Sequence, residues 1–237
     1  MAHLKGLRAP KFWRVGKQRR WVVSPRPGPH PKFFCIPLLL LLRDFLRLVE
    51  LGDEARKIIK QGNVLVDGRV CKDPKFPVGL FDVVSLPQLQ KNFRVVAGKK
   101  GLELVEIGEE EARKKVCRIK NKTNVKGNKF QLTLHDGKNV LTTSKEFRVG
   151  DSLLLELPSC KIVEHLKLEK GVIGLVVKGR KAGEEVRVVG LVRKGMKNLV
   201  SCELDEQTIE VPKERLIDVG RDKPLITVHA ADAQSAA

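Results

Sequence analysis

The 237 residues include 46 Lys and Arg against 28 Asp and Glu, a formal charge of +18. This excess is too large for an average soluble enzyme and points to a polyanionic partner. The cations are spread along the chain rather than packed beside an apolar anchor, which argues against an acidic membrane surface as that polyanion. The apolar run Ile36–Leu42 ends at Arg43-Asp44, far short of the ~20 residues of a membrane-spanning helix, and it sits too deep for a signal peptide. Cys35, Cys71, Cys117, Cys160 and Cys202 are widely spaced without a C-x-x-C pair. They read as reduced thiols in a cytosolic protein, not as a zinc ribbon. The histidines show no ligand spacing, so no metal or cofactor is expected.

Residues 1–35 form a basic arm. Lys5, Arg8, Lys11, Arg14, Lys17, Arg19, Arg20 and Arg26 lie there, and no acid precedes Asp44. Pro10, Pro25, Pro27, Pro29 and Pro31 block regular helix. Such a segment is not expected to fold by burying its own surface. It can become ordered against phosphates, with Trp13 and Trp21 either stacking on bases or packing on the neighbouring domain.

Residues 36–91 read as a small α/β module. Pro37 is placed as the first residue of an apolar helix, and Arg43 and Arg47, one turn apart, are expected on one helical face. A second helix follows Gly52, with Asp53 as its cap. Ala55, Ile58 and Ile59 fall on one side of it, and Arg56, Lys57 and Lys60 on the other. Gly62 stops the helix. Val64 and Val66 alternate into a strand, Asp67-Gly68 supplies a hairpin turn, and Val70 starts the return. Val83, Val84 and Leu86 close the unit. Arg69, Lys72 and Lys75 complete a basic surround suited to the phosphates of a folded RNA.

Residues 92–167 read as strands and turns. Gly98 to Gly101 turns the chain between two strands. Glu109 to Lys115 is expected as one short helix, acids first and bases last, as the macrodipole favours. Val116–Ile119 is expected to pair with Phe130–Leu134 around a basic tip holding Lys120, Lys122, Lys126 and Lys129. Asp136-Gly137 makes a further tight turn. In residues 168–222 a strand leads into the basic glycine turn Lys178-Gly179-Arg180-Lys181, followed by Gly183 and further strands. Pro212 to Leu216 reads as a short turn before the last strand. Residues 223–237 are expected to be a disordered tail.

Two resemblances follow from these residues. The stretch EARKIIKQGNVLVDGRV resembles the S-four RNA-binding domain. HLKGLRAPKFW, then PRPGPHPKF and IPLLLLLRDFLRL, resemble the start of the small-subunit ribosomal protein family S-four-e of archaea and eukaryotes. FPVGLFDVVSL is similar to the close of that family's S-four module, FRVGDSLLLEL to its central domain, and the turn around Lys178 to Gly183 to a KOW motif in an SH3-like barrel. The resemblance implies a multidomain α+β protein: the arm, the S-four module, a central β-rich domain and the KOW domain.

It further implies a structural, non-enzymatic constituent of the small ribosomal subunit in the cytoplasm. The expected partners are small-subunit ribosomal RNA and neighbouring ribosomal proteins, with no membrane and no small-molecule substrate. The alternative is an RNA-modifying enzyme of the pseudouridine-synthase kind, which also joins an S-four module to further domains. Against it, no catalytic motif is present. Gly190–Gly195 has phosphate-loop spacing, but Met196 stands where the loop requires Lys.

Overall fold

A computed structural model describes residues 4–13, 15, 20–194, 197–204 and 207–228. It is β-rich with few helices and divides into two compact units. The first comprises residues 1–96 and 100–113, the second 97–99 and 114–237.

In the first unit the described residues of the basic arm are ordered by packing on the neighbouring module, one of the two outcomes the sequence leaves open. Leu4–Lys5 pairs antiparallel with Trp21–Val22. Trp13 is fully buried, and its Nε1–H donates to the Cys35 carbonyl at 2.7 Å. Of the two fates open to this indole, packing is the one observed. The proline-rich stretch follows the S-four-like module closely. Arg26 N–H donates to the Lys75 carbonyl at 2.9 Å, and a Cβ on Gly28 would lie 2.7 Å from Pro77 Cγ. His30 Nε2 sits 2.9 Å from Asp82 Oδ2, with both side chains buried, while Gly79 N–H donates to the same oxygen at 2.8 Å. The arm therefore borrows its core from its neighbour, which a segment with so few apolar residues needs in order to be ordered.

The His30 ring lies directly over Gly79, where a Cβ would approach it to 2.2 Å. Gly79→Ala is expected to destabilise the protein by about 1–3 kcal/mol through overpacking and to open the arm to protease. His30→Ala in that background should restore part of the loss in a thermal melt.

Ile36–Pro37 forms a short ladder with Pro77–Val78, so Pro37 precedes the helix instead of starting it. The helical stretch is a short α-turn, Leu38–Leu40, followed by a π-helical turn, Leu41–Phe45. Leu38 to Leu42 are all buried; apolar on every side, this segment is core rather than a surface helix. The helix ends before Arg47, which adopts φ +52°. Arg43 and Arg47 therefore do not share a helical face.

The second helix, Gly52–Gln61, buries Ala55 and Ile59. Its start is closed by Glu54, whose carboxylate accepts from Leu51 N–H at 3.2 Å; Asp53 lies in the first turn and pairs with Arg56. Gly62 ends it in the left-handed conformation at φ +87°, as C-terminal glycines do. Asp67 and Gly68, both at positive φ, make the two-residue turn between Leu65–Val66 and Arg69–Val70.

These strands belong to a five-stranded sheet continued by Val83–Leu86, Lys91–Gly98 and Gly101–Ile107. The sheet thus runs through residue 92, where the sequence suggested a new domain. The cause is continuous pairing, with Leu86 opposite Lys91 and Val83 opposite Arg94.

The second unit holds two antiparallel five-stranded sheets. In spatial order the first is Asn139–Thr142, Lys129–Leu134, Lys114–Val125, Ser152–Glu156 and Lys161–Leu166. Its core is Cys117, Ile119, Leu132, Leu134, Leu153 and Leu155. The expected helix over Glu109 to Lys115 stops at Ala112, because Lys114 and Lys115 already pair with Glu156 and Leu155. Val116 pairs with Leu154, and only from Ile119 onward does the strand face Lys129–Leu134. Lys120 and Lys122 consequently lie on an arm of the hairpin, not at its tip.

The second sheet runs Gln207–Pro212, Lys197–Leu204, Glu185–Lys194, Ile173–Val176 and Leu216–Gly220. Val176, Val186, Val188, Val200, Cys202 and Leu216 are among the residues of its core. Contacts between the two sheets lock this unit: Arg118 Nη1 donates to the Lys213 carbonyl at 3.0 Å, Lys213 Nζ to the Val149 carbonyl at 2.8 Å, and Asp218 N–H to Ser152 Oγ at 3.1 Å.

Candidate nucleic-acid interface

Most of the cations singled out in the sequence are at the surface, but they are not equally available. In the first unit Lys5, Arg8, Lys11, Arg20, Arg47, Arg56, Lys57, Lys60, Arg69 and Lys72 are exposed, and Lys75 is half-buried. The Gly52–Gln61 helix and the following hairpin thus present cations on solvent-facing backbone held by a buried apolar side. Arg20 also stands over the half-exposed Trp21 ring, 5.5 Å from its centroid. Arg14 and Arg19 lie outside the described residues.

Among the described residues, three candidates of the first unit already have acidic partners. Arg43 grips Asp44 with two bonds, Nε to Oδ1 at 3.0 Å and Nη2 to Oδ2 at 2.8 Å, and its side chain is only 14% exposed. Burial and a fork-shaped pairing together make it a structural arginine. Arg26 pairs with Asp73 at 3.1 Å, and Arg56 with Asp53; both pairs are solvent-exposed, where exchange for a phosphate costs little.

In the second unit the hairpin tip is Lys126-Gly127-Asn128, with Gly127 and Asn128 at positive φ and Lys126 exposed. Lys122 faces inward. Its ammonium donates to the carbonyls of Lys145 at 2.9 Å and Phe147 at 3.0 Å, and it lies 4.5 Å from the Phe130 ring centroid. Lys122 therefore braces the hairpin. Lys178, Arg180 and Lys181 are exposed on the turn after Ile173–Val176, with Lys181 Nζ 3.6 Å from Glu184. Gly183 has φ +83°, and a Cβ there would lie 2.7 Å from the Ala97 carbonyl; left-handed backbone and close approach both require glycine at this turn.

Several charged residues that sequence reasoning passed over are interior. Arg94 is fully buried and pairs with Glu111, also donating to the Glu111 carbonyl at 2.9 Å. Burial holds its pKa below the ordinary arginine value, with Glu111 opposing that shift. Lys115 Nζ sits 3.0 Å from Asp136 Oδ2, both buried. Asp218 is buried, and among the described residues neither of its carboxylate oxygens has a hydrogen-bond partner. One available signal was the apolar setting of Arg94, within Phe93-Arg94-Val95-Val96. Burial first, then Asp82, pushes the Cys35 thiol up to about 12, which makes it inert.

Among the described residues no His, Cys, Asp and Glu cluster could hold a metal ion, and no helix is long and apolar enough to cross a membrane. The described surface offers solvent-facing ammonium and guanidinium groups on rigid helix, hairpin and turn backbones. Such groups neutralise phosphates and displace their counterions.

Comparison with known proteins fits this geometry. The model of the family described as ribosomal family S4e matches residues 89–162, that of the S4 domain residues 53–84, and that of the RS4NT domain residues 2–32. Small ribosomal subunit protein eS4 of Archaeoglobus fulgidus is 45% identical over 230 residues, covering 94% of this chain and 97% of the relative. Its counterpart in Methanopyrus kandleri is 45% identical over 246 residues, covering 95% of each. The crystal structure of 30S ribosomal protein S4e from Thermoplasma acidophilum superimposes with a TM-score of 0.69 at 30% identity, covering 77% of this chain and 93% of that one.

Proposed function

The chain belongs to the ribosomal family S4e, and on that premise we propose that it is a structural constituent of the small ribosomal subunit, binding ribosomal RNA and supporting subunit assembly and translation. The observation that carries the proposal is the near-complete, collinear match to small-subunit proteins. That match leaves no stretch of the chain for the catalytic domain an RNA-modifying enzyme would need, so the enzymatic alternative is set aside.

Binding is electrostatic clamping. Lys5, Arg8, Lys11 and Arg20 of the arm, Lys57 and Lys60 of the helix, and Arg69 and Lys72 after it meet phosphates. Lys126 and the turn Lys178 to Lys181 add contacts from the second unit. The Ile173–Gly220 sheet is read as an SH3-like KOW module, supported by the glycine requirement at Gly183 behind a basic turn. Neighbouring ribosomal proteins are the second class of partner, and the cytoplasmic ribosome is the site of action.

The test is sedimentation of a native-source lysate through a high-salt sucrose gradient. Stoichiometric presence in the small-subunit peak is expected; a chain running free or with transfer RNA would refute the proposal. Lys57→Glu with Lys60→Glu is expected to weaken binding to small-subunit RNA and to reduce the slope of log affinity against log salt by roughly 2, close to one per lost phosphate contact. A filter-binding salt titration checks it.

A further inference from the structure

A cleft of about 360 Å³ in the first unit is lined by Lys11, Phe12, Lys100, Leu102 and Glu103. Phe12 belongs to a short 3-10 turn, Lys11–Trp13, whose last residue is the buried Trp13 anchored to the Cys35 carbonyl. The turn is therefore held in place from below. Beside it runs the tip between Lys91–Gly98 and Gly101–Ile107. Gly101 has φ +133°, and a Cβ there would lie 2.4 Å from Phe12 Cβ and 2.6 Å from its Cγ. Only a bare backbone lets Phe12 settle onto this strand. The result is a fixed, half-buried aromatic side chain beside Leu102, with two exposed lysines and a half-buried carboxylate at the rim.

This combination has a specific chemistry. An aromatic platform of fixed orientation stacks an unpaired base, ammonium groups beside it take the flanking phosphates, and a carboxylate accepts from a base N–H edge. The volume is at the small end of ligand-binding clefts, which span roughly 300–1,000 Å³. We propose that this cleft captures one unpaired nucleobase of ribosomal RNA, stacked on Phe12, with Lys11 and Lys100 on the neighbouring phosphates and Glu103 accepting from a base amino or imino N–H. The proposal rests on the ribosomal RNA reading above and adds a recognition site for a single nucleotide. Charge selects the occupant: a cationic rim in a chain of charge +18 favours a nucleotide over a basic peptide of a neighbouring protein.

The test uses the full chain and small-subunit RNA. Phe12→Leu keeps an apolar side chain over Gly101 and removes the stacking platform, whereas Phe12→Trp keeps a platform. Phe12→Leu is expected to bind about tenfold more weakly with an unchanged salt slope, the loss of one base–aromatic stack. Phe12→Trp should bind within about threefold of wild type, and Lys100→Ala should lower the salt slope by about one. Independently of any variant, ultraviolet irradiation of the wild-type complex should crosslink a nucleotide to the peptide carrying Phe12.

Wild-type affinity in Phe12→Leu, or crosslinks that avoid that peptide while wild-type protein still binds with a steep salt slope, overturns the cleft assignment and leaves the ribosomal reading intact. A Phe12 peptide crosslinked to protein instead of RNA in assembled subunits also overturns it. Wild-type protein that does not prefer small-subunit RNA over transfer RNA overturns both.

Discussion

Lys115→Met is expected to lower folding stability by up to about 3–5 kcal/mol, the cost of taking the nearer, buried cation from a buried carboxylate and leaving it only Lys138, 3.7 Å away. Lys115 and Asp136 sit 3.0 Å apart with side-chain exposures of 0% and 1%. Burial alone would raise the Asp136 pKa; Lys115, His135 and Lys138 outweigh it and hold the group down at about 2. A carboxylate depressed in this way contributes stability that is present above its unfolded value of 3.8 and is lost as pH falls toward 2.

With Lys115 gone, burial is opposed only by His135 and Lys138, and Asp136 takes up a proton more readily. The deficit of Lys115→Met should therefore shrink between pH 7 and about pH 4 in urea titrations. Lys115→Met with Asp136→Asn should recover much of the loss, since replacing both partners removes the unpaired charge. A double variant as unstable as the single one would place the defect in packing rather than charge.

The second large effect has the opposite sign. Asp218→Asn is expected to stabilise the protein near pH 8. The native carboxyl is pushed up from 3.8 to about 7 by burial and then by Asp151, against the pull of Lys213 and Arg118. A carboxylate raised in the folded state holds its proton after the unfolded chain has released one, so stability falls as pH rises from about 4 to about 7 and levels off above that. At about 1.4 kcal/mol per pH unit, the cost of the ionised carboxylate at pH 8 is up to about 4 kcal/mol.

Asparagine is isosteric and neutral and should avoid most of that cost. The groups packed around it sharpen the test. Asp151 bonds His165 Nε2 at 2.9 Å, and Ser152 Oγ receives the main-chain N–H of residue 218, a bond the substitution keeps. Thermal melts from pH 4.5 to pH 8.5 should show a falling midpoint for wild type and a flatter profile for Asp218→Asn. Parallel profiles would mean that Asp218 does not titrate in this range.

Much of this protein follows from sequence alone, wherever the determinant is local. Gly62 and Asp67-Gly68 end a helix and turn a hairpin because their backbone needs leave few alternatives. The strand pattern around Lys91–Gly98 and Gly101–Ile107, and the basic turn before Gly183, follow from alternation and glycine placement. The expectation of a polyanionic partner follows from the net charge of +18. Family motifs carried the ribosomal reading, because they recur in order from the arm to the last sheet.

What only the tertiary structure decided is which charges are surface and which are interior, because that depends on pairings between residues far apart in the chain. Arg94 has apolar neighbours in sequence, but its burial is decided only when Glu111 is folded against it. Lys122 reads as a hairpin-tip cation until the Lys145 and Phe147 carbonyls receive its ammonium. Arg43 and Arg47 were placed on one face by a period that assumed unbroken α-helix; a π-turn and a left-handed residue end that period. The arm's own apolar content is too low to fold it alone, and its sequence leaves open what surface orders it. It orders by lending Trp13 and His30 to the core of its neighbour, and burial supplied by another segment is the one quantity a local reading of sequence does not contain.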